Sequence, residues 1–200
     1  MDRCQDDEVC VCEMSQANVE QISRIIEIAG SDPAGWRKTT LEERHKIMYE
    51  AANRLGEMRG DLIGCMCAIT GKTVVEGDVE VSEGIDYARF YTTSMKLFAD
   101  LPDVDITPEG TVLVISPWNF PCAIPIGGIV AALAGGNTVI LKPATVAAPV
   151  AWLFAQAFWD AGVPKEALQV IITDRDALKV LTSAPAIKHI ILTGGTDTAQ

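Results

Sequence analysis

Thr111-Val112-Leu113-Val114-Ile115-Ser116, followed by Pro117-Trp118-Asn119-Phe120-Pro121, is the stretch whose reading decides the fold. The first six residues are a β-branched, apolar run of strand length, stopped by a turn that two prolines stiffen. Its four central positions, Val112 to Ile115, are all apolar rather than alternately so, as in a parallel strand covered on both faces. The pattern recurs downstream at Asn137–Lys142, Leu168–Ile172 and Ile187–Leu192. Helical spacing fills the gaps, over 126–134, 146–161 and 175–182, and Gly194-Gly195 introduces a further helix. Strands alternating with helices at these lengths predict βαβ crossovers and a parallel sheet. Ligands of such sheets bind beyond the carboxyl ends of the strands, so the turns at 116–125, 142–146, 173–175 and 193–196 are the places for a site.

Upstream the grammar is helical. Val19, Ile22, Ile25, Ile26 and Ile28 lie mostly at helical spacing, and Asp32-Pro33-Ala34-Gly35 breaks that helix. Thr40 and Glu43 form a capping-box pattern at the start of a second helix, which Gly60 interrupts. A helical piece over 62–69 runs to Gly71, and an acidic helix is expected around 80–97. The fold expected is α/β, with N-terminal helices followed by a Rossmann-like βαβ sheet, truncated. It divides into an acidic, disordered leader at 1–17, a helical part at 18–98, a connector at 100–110 and a βαβ part at 111–200.

The net charge of -11, from 16 basic and 27 acidic side chains, repels nucleic acid and anionic membrane. The uncharged stretch from Gly110 to Leu141 is long enough to suggest a membrane helix, but Pro117, Pro121 and Pro125 interrupt it. Buried strands are the better reading, and no membrane or nucleic-acid partner is expected. The N-terminus lacks the apolar segment of a secretory signal, so a cytoplasmic protein with reduced thiols is expected. The six cysteines include two C-x-C pairs, which differ from zinc-knuckle spacing, and only His45 and His189 could supply nitrogen ligands. No metal site is expected.

The turn after the first strand leaves one carboxamide, Asn119, between two aromatics. It can donate hydrogen bonds to an oxygen that becomes negative, or it can simply satisfy turn backbone. Residues 117–121, Gly136–Ala144, Ala161-Gly162-Val163-Pro164 and Leu192–Thr196 together resemble the aldehyde dehydrogenase superfamily in order and spacing. Ile69–Lys72 and Ile85–Tyr91 are similar to its N-terminal helices. The resemblance implies an NAD or NADP site lined by Ser116, Pro117, Trp118, Pro143, Ala144 and Thr145. It implies an oxyanion-hole role for Asn119 and a place for Lys142 against the adenosine ribose. Gly162 would lie near the adenine, and Gly194 and Gly195 would open a helix toward the pyrophosphate, whose charge a helix N-terminus favours.

Three positions depart from the family pattern. Thr145 stands where NAD-preferring relatives often carry a ribose-chelating Glu, which makes NADP plausible. Gly195 replaces a Ser, and Thr173-Asp174-Arg175-Asp176 replaces a Gly-rich turn. The family's deacylating Glu and nucleophilic Cys are expected beyond Gln200, in an absent catalytic domain. Cys122 is close to Asn119 but has no nearby cation, and an inert buried thiol is expected there. The resemblance implies oxidation of an aldehyde to a carboxylic acid by a full-length homo-oligomer, with the helices of 69–91 most like dehydrogenases of glutamate γ-semialdehyde. The 200 residues alone are expected to be inactive, and monomeric or weakly dimeric. An acylating, coenzyme A-dependent enzyme and a non-catalytic nucleotide-binding module remain as alternatives.

Overall fold

The structure is a computed structural model that describes residues 12–199. Helices α1 (Val19–Ser31), α2 (Leu41–Glu57), α3 (Arg59–Thr70) and α4 (Val74–Ala99) precede the sheet. Then β1 (Thr111–Ser116), α5 (Ala123–Ala134), β2 (Thr138–Pro143), α6 (Ala148–Asp160), β3 (Leu168–Val170), α7 (Arg175–Thr182), β4 (Ile187–Leu192) and α8 (Thr196–Ala199) follow. The four strands form one sheet in the order β3-β2-β1-β4, and every pairing is parallel.

The continuous apolar run of β1 serves two cores. Val112 and Val114 pack with Val139 and Leu141 against α2 to α6. Their neighbours Leu113 and Ile115 pack with Ile140, Ile171 and Leu181 on the opposite face, against α1 and α7. Successive strand side chains point to opposite faces, so an uninterrupted apolar run is what a sheet sandwiched between helices requires. Phe154 and Phe158 of α6 are fully buried in the larger core. Truncating either to Ala would cost about 3–5 kcal/mol, since the close-packed interior cannot collapse fully.

Helix ends follow local chemistry. The expected box at Thr40 and Glu43 is formed, with Glu43 N donating to Thr40 Oγ1 at 3.2 Å and Thr40 N to Glu43 Oε2 at 2.7 Å. Asn18 with Gln21 and Thr73 with Glu76 make two further boxes. The Thr73 box starts α4 at Val74, well before the expected position near 80. The break between α2 and α3 falls at Met58, and Gly60 lies inside α3. The third strand ends at Val170 rather than Ile172.

The carboxyl end of α5 is tied down by distant donors. Trp36 Nε1 donates to the Leu133 carbonyl at 3.3 Å, and Arg44 Nε to that of Ala134 at 3.0 Å. The following Gly136 has φ 82°, and a Cβ there would meet Pro108 Cγ at 2.8 Å, so only glycine fits. Residues 1–11 of the expected leader lie outside the described residues. Ala17 is ordered against the sheet edge, its N–H donating to the Ile172 carbonyl at 2.8 Å. Among the described residues, no helix is long and apolar enough to cross a membrane.

Candidate functional site

The strand order locates the site. From β1 the chain winds outward through β2 to β3, with α5 and α6 on one face. It then crosses to the other face in α7 and returns to pair β4 with the free side of β1. The winding direction therefore reverses between β1 and β4, and beyond the carboxyl ends of strands at such a point lies the crevice that binds ligands.

A cleft of about 670 Å³ opens there. Ser116 at the end of β1 with Pro117, Trp118 and Asn119 after it, Lys142 and Ala144 around the end of β2, and Gly194 and Gly195 after β4 line it together. The three turns are linked through main chain, with Ala144 N donating to Ser116 O at 3.0 Å and Thr193 N to Ile115 O at 3.1 Å. Thr193 and Thr198, not singled out in the sequence, add hydroxyls to the wall, and Phe120 and Ile124 add apolar surface. Thr193 lies within the 192–196 motif, so that motif carried the signal.

Two polar groups in the cleft lack protein partners. Ser116 is only 5% exposed, and its Oγ makes no hydrogen bond among the described residues. A buried hydroxyl without a partner costs free energy, so it marks a position where a ligand or water completes the structure. Lys142 is half-buried, and burial pushes its ammonium below the ordinary lysine range. Asn119 is exposed, and its carboxamide makes no hydrogen bond among the described residues, so it does not hold the turn together.

Three expected residues stand apart. Pro143 is buried in β2, paired in register with Ser116, and contributes no wall to the cleft. Thr145 is exposed at the start of a short 3₁₀ turn over Thr145–Ala147, just outside the lining. Gly162 is not brought to the site. α6 runs back from the carboxyl ends of the strands, so its far end reaches the amino edge of the sheet beside Ile47. The φ of 112° at Gly162 serves helix termination, a conformation glycine adopts without strain. The helix expected after Gly195 has four described residues, Thr196–Ala199.

Cys122 is fully buried at the start of α5. Burial first, then the charge of Glu80, pushes its thiol well above the ordinary cysteine range, which leaves it unsuited to nucleophilic attack. Glu80, which the sequence did not single out, accepts hydrogen bonds from the Cys122 and Ala123 amides. Among the described residues no group of His, Cys, Asp or Glu could hold a metal ion.

The profile of the aldehyde dehydrogenase family matches residues 3–200. The chain belongs to the aldehyde dehydrogenase family. The match reaches well upstream of the first resembling segment at Ile69–Lys72, into the acidic leader. A 1-pyrroline-5-carboxylate dehydrogenase of Geobacillus sp. (strain WCH70) is 33% identical over 195 residues, covering 92% of this chain and 38% of that protein. An alpha-ketoglutaric semialdehyde dehydrogenase of Bacillus subtilis (strain 168) is 33% identical over 168 residues, covering 79% of this chain and 34% of that protein. Among solved structures, proline utilization A from Corynebacterium freiburgense superposes with a TM-score of 0.84 at 36% identity, over 94% of this chain and 19% of that one. The chain thus spans little more than a third of the curated relatives it matches.

Proposed function

We propose that this chain supplies the dinucleotide-binding part of an NAD(P)-dependent aldehyde dehydrogenase acting on glutamate γ-semialdehyde. The observation that carries the reading is a switch-point cleft lined both by the desolvated Lys142 ammonium and by Ser116, whose buried Oγ has no partner among the described residues. A polyhydroxylated anion suits both groups, since it offers oxygens to a hydroxyl and negative charge to an ammonium. The dinucleotide therefore fits the residues present. Ser116 and Lys142 would hold ribose hydroxyls, and the main chain at Gly194 and Gly195 would face phosphate without side chains between. When bound, NAD or NADP supplies the hydride acceptor. The exposed Thr145 places no carboxylate near the site, which is compatible with the additional 2′-phosphate of NADP.

Asn119 would donate from its carboxamide to the aldehyde oxygen as that oxygen becomes negative, without itself changing protonation. The substrate assignment rests on similarity to relatives named 1-pyrroline-5-carboxylate dehydrogenase and proline utilization A. Calorimetric titration of the 200-residue protein with NAD and with NADP tests the binding half. Saturable binding of either that weakens in Lys142→Ala is expected, and no binding of either would overturn the reading. Turnover of glutamate γ-semialdehyde by the full-length protein that carries this segment tests the substrate.

A further inference from the structure

Helix α5 begins at Ala123, directly after the turn that carries Asn119, and its N-cap residue Cys122 makes no side-chain capping bond. The free amides are satisfied from far away in sequence. Glu80 of α4 accepts from Cys122 N at 2.7 Å and from Ala123 N at 3.1 Å through the same carboxylate oxygen. Its other oxygen lies 3.0 Å from Lys72 Nζ. Glu80 is 1% exposed, so its charge is removed from water and is balanced by that lysine and the amides at the helix start. The same Lys72 ammonium sits 4.4 Å from the centre of the Phe120 ring, the residue next to Asn119. One ion pair thus holds the turn at two points just after Asn119, through a ring at 120 and by hydrogen bonds at 122–123.

A buried ion pair is a poor way to gain stability, because desolvation of both charges offsets most of their attraction. Hydrogen bonding at fixed distances to main chain next to a chemical group gives instead a defined geometry. We propose that Glu80, with Lys72, is a positioning residue that sets the Asn119 turn for its role at the aldehyde oxygen. The proposal rests on the oxyanion role given to Asn119 above, while the clamp on the turn is independent of it.

Two variants separate geometry from folding. Glu80→Gln keeps the shape and loses the charge. The double variant Lys72→Met with Glu80→Met removes the ion pair without leaving a lone buried charge, and such replacements are often neutral or stabilising. In the 200-residue chain, amide hydrogen exchange at Cys122 and Ala123 should accelerate by about tenfold or more in the double variant, while β1 and β2 keep their protection. Unchanged exchange at those two amides overturns the clamp, whatever the enzyme does. In the full-length protein, kcat should fall by roughly 10 to 10² in both variants while KM for cofactor stays near wild type. The double variant should keep the wild-type melting temperature, and Glu80→Gln, which leaves Lys72 without its counter-ion, should melt earlier. A double variant that melts like wild type and keeps its kcat overturns the positioning role. A wild type that oxidises no aldehyde would defeat the proposed function, and the exchange measurement would still decide the clamp.

Discussion

Ser116 and Pro143 stand opposite one another at the last register position of β1 and β2, and the Ser116 carbonyl goes on to accept the Ala144 amide at 3.0 Å. Two loops of the cleft therefore leave the sheet as one hydrogen-bonded unit. The Ser116 carbonyl is used in this junction, while its side-chain hydroxyl has no partner among the described residues.

That contrast makes Ser116→Ala informative. Deleting a buried hydroxyl that lacks a partner removes a desolvation cost, so the variant should melt no earlier than wild type. If the hydroxyl meets a ribose oxygen, NAD(P) affinity should drop roughly 2- to 10-fold. Calorimetric titration and thermal melts on the same preparation check both. A variant that is destabilised and binds normally would show that Ser116 has an unseen structural partner.

Lys142 should behave as a group retained for binding at the expense of stability. Its ammonium is disfavoured by burial, so its proton affinity is lower in the folded than in the unfolded chain. Below the folded pKa the charged form carries that cost in full. As pH rises toward the unfolded lysine value of about 10.4, the folded state sheds its proton first and the cost is relieved. Lys142→Met should therefore melt higher than wild type at neutral pH, with the gap closing in alkaline buffer. Cofactor binding should weaken in the same variant. A gap that widens with pH would show the charge to be stabilising instead.

Asn119 is exposed and makes no hydrogen bond within the described residues, so its removal should leave the melting temperature almost unchanged. In the full-length protein, loss of one donor to a developing oxyanion typically slows turnover by roughly 10² to 10³. Steady-state kinetics of Asn119→Ala should give a fall of that size in kcat, with cofactor affinity retained. A destabilised variant with normal kcat would end the assignment.

Cys122 should be chemically silent. Its thiol is fully buried and its ionisation is opposed by burial and by Glu80. Iodoacetamide at pH 8 should leave Cys122 unmodified in the native chain and alkylate it in denaturant, as peptide mass spectrometry would read. Rapid native alkylation at Cys122 would reopen its candidacy as a nucleophile.

Much of this architecture was legible in the chain itself. The runs at 111–116 and 138–143 carry enough β-branched apolar residues to declare buried strands. The run at 187–192 is a strand as its pattern declares, although as the edge strand β4 it is largely exposed rather than buried. The Thr40 and Glu43 box announces α2 through contacts only three residues apart. The cleft turns were legible too, because a parallel sheet places its ligands at strand carboxyl ends whatever the sequence between. Position along one crossover was misread at Gly162, since the helix between two parallel strands must carry the chain back to the opposite edge of the sheet.

What the sequence by itself determined was therefore local: which segments are strands and helices, where most of them stop, and which turns face the carboxyl edge. Only the tertiary structure decided that β4 returns to the free side of β1, which creates the switch point where Ser116, Lys142 and Gly194 meet. It also decided that Glu80 caps a helix that begins 43 residues later, at Ala123. Periodicity and capping patterns report interactions between residues a turn apart, and strand order and long-range caps depend on how whole faces are buried against each other.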